Sequence, residues 1–251
     1  MKNKFLCIIQ ARMNSSRLPG KALKKVNGTT LLEYMVTRVR LAKCVNKIVV
    51  ATTTNKEDNQ IEAVCRKIGV DCFRGSENDV LDRYYQCSLQ YPKFNIVIRL
   101  TGDCPLVDPK ILDQFVNFFN ANKYDYISPS AGFGQETFPE GVAEIEIFTK
   151  RALIKSAQEA EPASEREHIT MFMRSCELFK KGVVVFEKRE LSKYRLTVDE
   201  PGDFEVVKFL IENSKIGDGH LTHIGLLESH PEIAEKNMHI ARNQNAPRIN
   251  K

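Results

Sequence analysis

No stretch of this 251-residue chain stays apolar for the ~20 residues that a membrane-spanning helix requires, so a helical membrane protein is excluded. The first apolar run, Phe5–Ile9, is shorter than the ~7–15 residues of a signal-peptide core, and no small-residue cleavage site follows it. A buried first strand is expected there instead, in a cytoplasmic protein with no membrane partner. No CxxC pair occurs among Cys7, Cys44, Cys65, Cys72, Cys87, Cys104 and Cys176, and the number is odd. That spacing suits neither zinc nor a disulfide framework and fits a reducing compartment. No block of five or six like charges accompanies the net charge of +5, so a nucleic-acid partner is not expected. A few cations gathered around an anionic substrate account for the excess equally well. Internal repeats and low-complexity tracts are absent. So are the GxxxxGK[ST] and GxGxxG spacings, which excludes a P-loop and a dinucleotide fingerprint.

What is present is an ordinary globular mixture, 42% hydrophobic and 27% charged, long enough for one large α/β domain with a sizeable core. Phe5–Gln10, Ile48–Ala51, Val70–Phe73 and Ile96–Leu100 read as buried strands, the last the most apolar. Helical spacing follows each. Thr30 and Glu33 form a capping box before Leu31, Leu32, Met35, Val36 and Val39. Ile61, Val64, Cys65 and Ile68 stop at Gly69; Leu81, Tyr84, Tyr85 and Leu89 stop before Pro92; Leu112, Phe115, Val116 and Phe119 mark a fourth helix. This rhythm predicts a mostly parallel central sheet flanked by helices, with ligands at the carboxyl ends of its strands. Beyond Tyr126 the rhythm loosens. Pro129–Pro139 reads as a loop, Glu144–Phe148, Val183–Phe186 and Tyr194–Val198 as strands, Lys150–Gln158 and Phe204–Ile211 as helices. A single domain over 1–235 and a polar tail over 236–251 are expected.

Three segments carry chemistry. Gln10–Lys21 follows the first strand and holds Arg12, Arg17 and Lys21 among small polar residues and a Pro-Gly turn. Such a loop can offer N–H groups and fixed cations to a polyphosphate, or be a solvated basic loop. In Arg99–Leu106, Asp103 stands just beyond the most apolar strand. It can cap a helix, close a turn, or point into a cleft and hold a hard cation, since Mg²⁺ usually takes one or two carboxylates and fills its other sites with water and phosphate. In Arg195–Asp203, Asp199 follows a short apolar run; it can be the N-cap of the helix starting near Pro201 or a second metal ligand.

Taken in order, IIQARMNSSRLPGKAL, RLTGDCPLVDP and YRLTVDEPGDFEVV resemble the cytidylyltransferase superfamily of CMP-Kdo and CMP-acylneuraminate synthetases, most closely its spore-coat polysaccharide branch. The resemblance extends into the PEIAEKNMHIARN segment and implies a Rossmann-like nucleotidyltransferase fold, Mg²⁺, and a homodimer. A small extra strand region, Phe138–Phe148, would then form the acceptor site and the dimer contact. Residue by residue, Arg12, Arg17 and Lys21 match the triphosphate-binding cations, and Ala11 and Ser15 the loop around base and ribose. Asp103 and Asp199 match the metal-binding acids. Arg74, Ser76 and Asp79 fall where the family often contacts the base. Glu140, Glu144 and Glu146 resemble the strand bordering the sugar pocket, although Glu140 stands where Asp is common. His168, in Glu165–His168, resembles an acceptor-side motif or is a structural helix residue. The implied reaction transfers CMP from CTP to a sugar acid or sugar phosphate. A glycosyltransferase is the nearest rival, but its D-x-D motif is missing at Gly102–Cys104. A non-catalytic nucleotide-binding protein on the same fold would keep the cations and could lose an acid.

Overall fold

The computed structural model describes residues 3–129, 138–185 and 190–241. Among them the chain runs β1 (Phe5–Gln10), β2 (Lys25–Val26), β3 (Thr29–Thr30), α1 (Leu31–Val39), β4 (Lys47–Thr53), α2 (Asn59–Lys67), β5 (Asp71–Gly75), α3 (Val80–Leu89), β6 (Ile96–Thr101) and α4 (Pro109–Asn122). There follow β7 (Tyr126–Ser128), β8 (Glu146–Thr149), α5 (Lys150–Glu159), α6 (Ala163–Glu167), α7 (Met171–Ser175), β9 (Lys181–Val183), α8 (Pro201–Glu212), α9 (His220–Ser229) and α10 (Pro231–Met238). Seven strands form one sheet in the order β5-β4-β1-β6-β8-β7-β9. The β5-β4-β1-β6 half is parallel, and β8 pairs antiparallel with both β6 and β7. β2 and β3 make a separate two-stranded hairpin.

β1 shows why the sheet is buried on both sides. Its residues alternate faces: Phe5, Cys7 and Ile9 join the apolar cluster that includes Leu32, Met35 and Phe115, whereas Leu6 and Ile8 join the one with Tyr84, Phe148 and Leu153. Each fully buried side chain of this kind contributes about 1.5–3 kcal/mol. The helix starts follow their caps. Thr30 Oγ1 accepts from the Glu33 N–H while Glu33 accepts from the Thr30 N–H, closing the box at α1. Asp108 accepts from the Lys110 and Ile111 N–H groups, with Pro109 opening α4. α2 gives way to Gly69, whose φ of +63° an L side chain rarely adopts. Among the described residues no helix is long and apolar enough to cross a membrane.

The second half departs from the sequence reading in four places. Tyr194–Val198 is not a strand: it makes one isolated bridge, Glu140 to Arg195, and its backbone bonds go to Glu140 and Asp103 where a ladder would be. The strand near Val183 is Lys181–Val183, and Phe186 lies outside the described residues, as do 130–137 of the expected Pro129–Pro139 loop. Residues 138–148 are buried almost throughout inside a single chain, so they offer little face to a second copy. The tail does not begin at 236. α10 continues to Met238, Ile240 is buried, and Asn237 donates to the Arg195 carbonyl and to Asp203 at 2.9 and 3.0 Å.

Candidate active site

At the carboxyl ends of β1 and β6 lies a cavity of about 560 Å³, within the range of small-molecule sites. It is built from the first loop upward. Gln10 ends β1, and its carbonyl accepts from the Gly102 N–H at 2.8 Å. A side chain at 102 would meet Ala11 and the Gln10 carbonyl at 3.0 Å, so glycine lets the loops after β1 and β6 close on one another. The first loop is pinned from behind by buried Asp58, which accepts from the Met13 and Thr53 N–H groups at 2.7 and 3.0 Å. Gly20, at φ +69°, then turns the chain into a short helical turn that begins at Lys21.

Lys21 is the centre of the site. Its ammonium lies 2.6 Å from Asp199 Oδ1 and 3.1 Å from Asp103 Oδ2. Burial pulls the ammonium's pKa down, but the two carboxylates outweigh it and the net shift is upward. Burial pushes Asp103 up, and Lys21 with the Thr101 and Cys104 bonds outweighs that, so Asp103 stays below the usual carboxylate range. Asp199 also pairs with Arg17 and with Arg195, each at 3.1 Å. The cap alternative is thereby decided. The residue capping α8 is Glu200, in a reciprocal box with Asp203, and the Asp199 carboxylate is left to face the cations. Arg195 aims it: this buried guanidinium bonds Glu140 at 2.5 Å and Asp203 at 2.9 Å, and the Asp103 carbonyl accepts from the Val198 N–H at 2.7 Å. Among the described residues no three acids, histidines or cysteines cluster as a closed metal cage. Asp103 and Asp199 do reach one cation together, and two carboxylates are what a Mg²⁺ shared with phosphates takes from a protein.

The cavity brings together Ala11, Arg12, Ser15, Arg17, Lys21, Asp103, His168 and Asp199. Other expected site residues face elsewhere. Arg74 is turned to the sheet edge, bonding the Thr53 and Asn55 carbonyls and Glu62. Ser76 and Asp79 are spent on the start of α3, where Asp79 caps Asp82 and grips Arg166 at 2.5 Å. Their neighbours Glu77, Asn78 and Val80 line the cavity instead. The three glutamates of the expected sugar strand are not in its wall. Glu140 holds Arg195, Glu144 accepts from the Gly141 N–H at 2.6 Å, and Glu146 is buried beneath Arg99 and Arg174. Two cavity arginines escaped the sequence reading, Arg83 and Arg99. Arg99 had a visible signal: it is the lone charge inside the most apolar strand. A wider groove of about 840 Å³ lies at the amino end of the sheet, but four of its charges pair with one another, Arg151 with Asp125 and Lys155 with Glu159, and Lys150 donates to the Ser88 carbonyl.

A mostly parallel sheet flanked by helices, with its cation-lined cavity at the carboxyl ends of the strands, is a Rossmann-like α/β fold. The profile of the cytidylyltransferase family matches residues 6–244, and the chain belongs to that family. It is 35% identical over 221 residues to the spore coat polysaccharide biosynthesis protein SpsF of Bacillus subtilis, covering 84% of this chain and 88% of that one. It is 33% identical over 129 residues to the 8-amino-3,8-dideoxy-manno-octulosonate cytidylyltransferase of Shewanella amazonensis, about half of each chain (50% and 51%). A solved cytidylyltransferase from Leptospira borgpetersenii superposes with a TM-score of 0.87 at 36% identity, over 96% of this chain and 100% of that one. Family membership sets aside the glycosyltransferase reading.

Proposed function

We propose that this chain transfers CMP from CTP to an acidic or phosphorylated sugar and releases pyrophosphate, in the biosynthesis of a surface polysaccharide or glycan. The observation that carries the reading is the convergence of Lys21 on Asp103 and Asp199 at the mouth of a cavity that also holds Arg12 and Arg17. The sugar acid named for the Shewanella relative and the polysaccharide role named for SpsF support the acceptor class. An acceptor hydroxyl oxygen attacks the α-phosphorus, the bond from that phosphorus to the β-phosphate oxygen breaks, pyrophosphate leaves, and the hydroxyl proton passes to water. Arg12, Arg17 and Lys21 hold the β- and γ-phosphates and meet the charge that grows on the leaving group. Mg²⁺ would be held by Asp103 and Asp199 and would supply positive charge to phosphate oxygens. Arg195 keeps Asp199 aimed, and Gly102 keeps the two loops close enough for one nucleotide to touch both. A homodimer belongs to the same reading, with an interface outside 138–148; light scattering at micromolar concentration tests it.

Pyrophosphate release, measured with CTP, UTP and ATP against sugar acids and sugar phosphates, tests the reaction. CTP with an anionic acceptor should be the productive pair. Asp103→Asn should abolish it with the circular dichroism unchanged. No release with any pair, or near-parent activity of Asp103→Asn in saturating Mg²⁺, would sink the reading.

A further inference from the structure

We infer that Arg99 is the residue that reads the negative charge of the acceptor, an inference that rests on the transfer reaction proposed above. The cavity has two walls. One carries the first-loop cations Arg12, Arg17 and Lys21, which the triphosphate occupies on that reading. The other is made by β6 and α6 and presents Arg99, Thr101, Ala163, Glu167 and His168. An acidic acceptor lying on this second wall needs its own counter-charge, because the first-loop cations are committed to the nucleotide.

Arg99 is over-supplied for a purely structural role. Its guanidinium pairs with Glu146, but Glu146 is already held by Arg174 at 2.9 Å, by the Thr170 hydroxyl at 2.7 Å and by the Tyr126 hydroxyl. Two guanidiniums thus share one buried carboxylate, and one positive charge is left over. Arg174 sits behind, bonded to Tyr126 and Glu146. Arg99 is the member of the pair that lines the cavity. The surplus is felt at His168 on the same wall: burial lowers its pKa, and Arg99 and Arg174 lower it further against the opposing pull of Glu167. Glu167 is exposed and forms no ion pair with either arginine among the described residues. A planar fork fixed from behind by a carboxylate is what bidentate capture of a carboxylate or phosphate requires.

The first arm of the test does not need turnover. With the full chain, histidine-labelled and saturated with CTP, inorganic phosphate is the probe and the His168 ring resonances are followed against pH. Phosphate should raise the His168 pKa in the parent and leave it unmoved in Arg99→Met; an equal rise in both, or none in the parent, overturns the inference. CTP affinity unchanged in Arg99→Met shows that the fold and the nucleotide wall are intact. Should that variant fail to fold, Arg99→Lys carries the test: a point charge in place of the fork should weaken phosphate about tenfold, and undiminished binding overturns the inference. The second arm uses an acid acceptor that releases pyrophosphate from CTP, compared with its methyl ester. Arg99→Met should raise KM for the acid about ten- to a hundredfold, with KM for CTP and for the ester unchanged. A parent that releases no pyrophosphate defeats the transfer reaction but leaves the phosphate result standing as the judge of Arg99.

Discussion

Lys21 Nζ stands 2.6 Å from Asp199 Oδ1 across 178 residues of sequence. The same ammonium meets Asp103 at 3.1 Å, so one cation closes a gap between two acids that would otherwise repel. With Lys21 held above its ordinary pKa and Asp103 below its own, the ammonium is fully charged and Asp103 ionised at neutral pH. On the proposed reading, a divalent cation held by the two acids would compete with this ammonium for the same oxygens.

Lys21→Met tests that competition directly. Without the ammonium, the two carboxylates face each other and the fold should lean on Mg²⁺. We expect a larger rise in Tm on adding Mg²⁺ than in the parent, and a turnover about ten- to a hundredfold lower. Thermal melts with and without the metal decide it: an identical Mg²⁺ response would show that the two acids do not share a cation.

Glu146 gives a pH dependence with a definite sign. Burial raises its pKa, but Arg99 and Arg174, with the Tyr126 and Thr170 bonds, outweigh this and bring it to about 2 in the folded chain. An unperturbed glutamate titrates at about 4.3, so the stabilisation is present above that pH and is lost as the pH falls towards about 2. Removing one partner of a buried charge network costs about 3–5 kcal/mol, which is on the order of 10 °C in Tm for a chain of this size. Glu146→Gln should therefore melt well below the parent at pH 7, with the gap shrinking steadily towards acid. A gap independent of pH would mean that its charge is not what matters.

Gly141 holds the two halves of the site together. It has φ +90°, and a Cβ there would lie 2.4 Å from the Thr197 nitrogen, beneath the segment that delivers Asp199. Gly28 has a similar φ, +78°, but open space around it. The backbone term alone costs about 1–3 kcal/mol at either position. Gly28→Ala should lower Tm by a few degrees and leave turnover alone. Gly141→Ala should lower Tm further and also slow turnover, because Leu196 to Asp199 must move. Equal kinetics for the two variants would count against the close contact as a positioning device.

Sequence alone reached the parallel half of the sheet, because apolar runs and caps such as Thr30 with Glu33 are local signals. It also picked out Lys21, Asp103 and Asp199, each at a strand end or turn where packing has little use for a charge. It could not reach Arg195 or Asp58, whose work is to bond segments far apart in sequence, such as Glu140 and Met13. Nor could it see that Arg74 and Asp79 point away from the cavity that Glu77 and Asn78 line, since side-chain direction in a loop depends on contacts made only after folding. Tyr194–Val198 misled for the same reason. Its alternation is real, but among the described residues no neighbouring strand pairs with it beyond the single Glu140 bridge.

Arg12 and Arg17 lie on one loop and should nonetheless fail differently. Arg12 is half exposed, and among the described residues its one ion pair, to Glu77, spans 3.6 Å. That pair is too loose to engage it, so on the proposed reading its planar fork is available to anchor phosphate in the ground state. Arg17 is tied to Asp199 at 3.1 Å and to Glu200 at 3.6 Å, so on the proposed reading it would set the acid as well as meet the nucleotide. Charge-assisted bonds of about 1.5–3 kcal/mol make the loss roughly ten- to a hundredfold in either case. For Arg12→Ala it should fall on KM for CTP, with kcat near the parent value, the pattern of lost uniform binding. For Arg17→Ala kcat should fall as well, because Asp199 loses one of its three cations. Steady-state kinetics over a range of CTP concentrations separates the two. A kcat in Arg12→Ala as low as in Arg17→Ala would show that the whole loop acts on the transition state, and that Asp199 does not need Arg17 to stay in place.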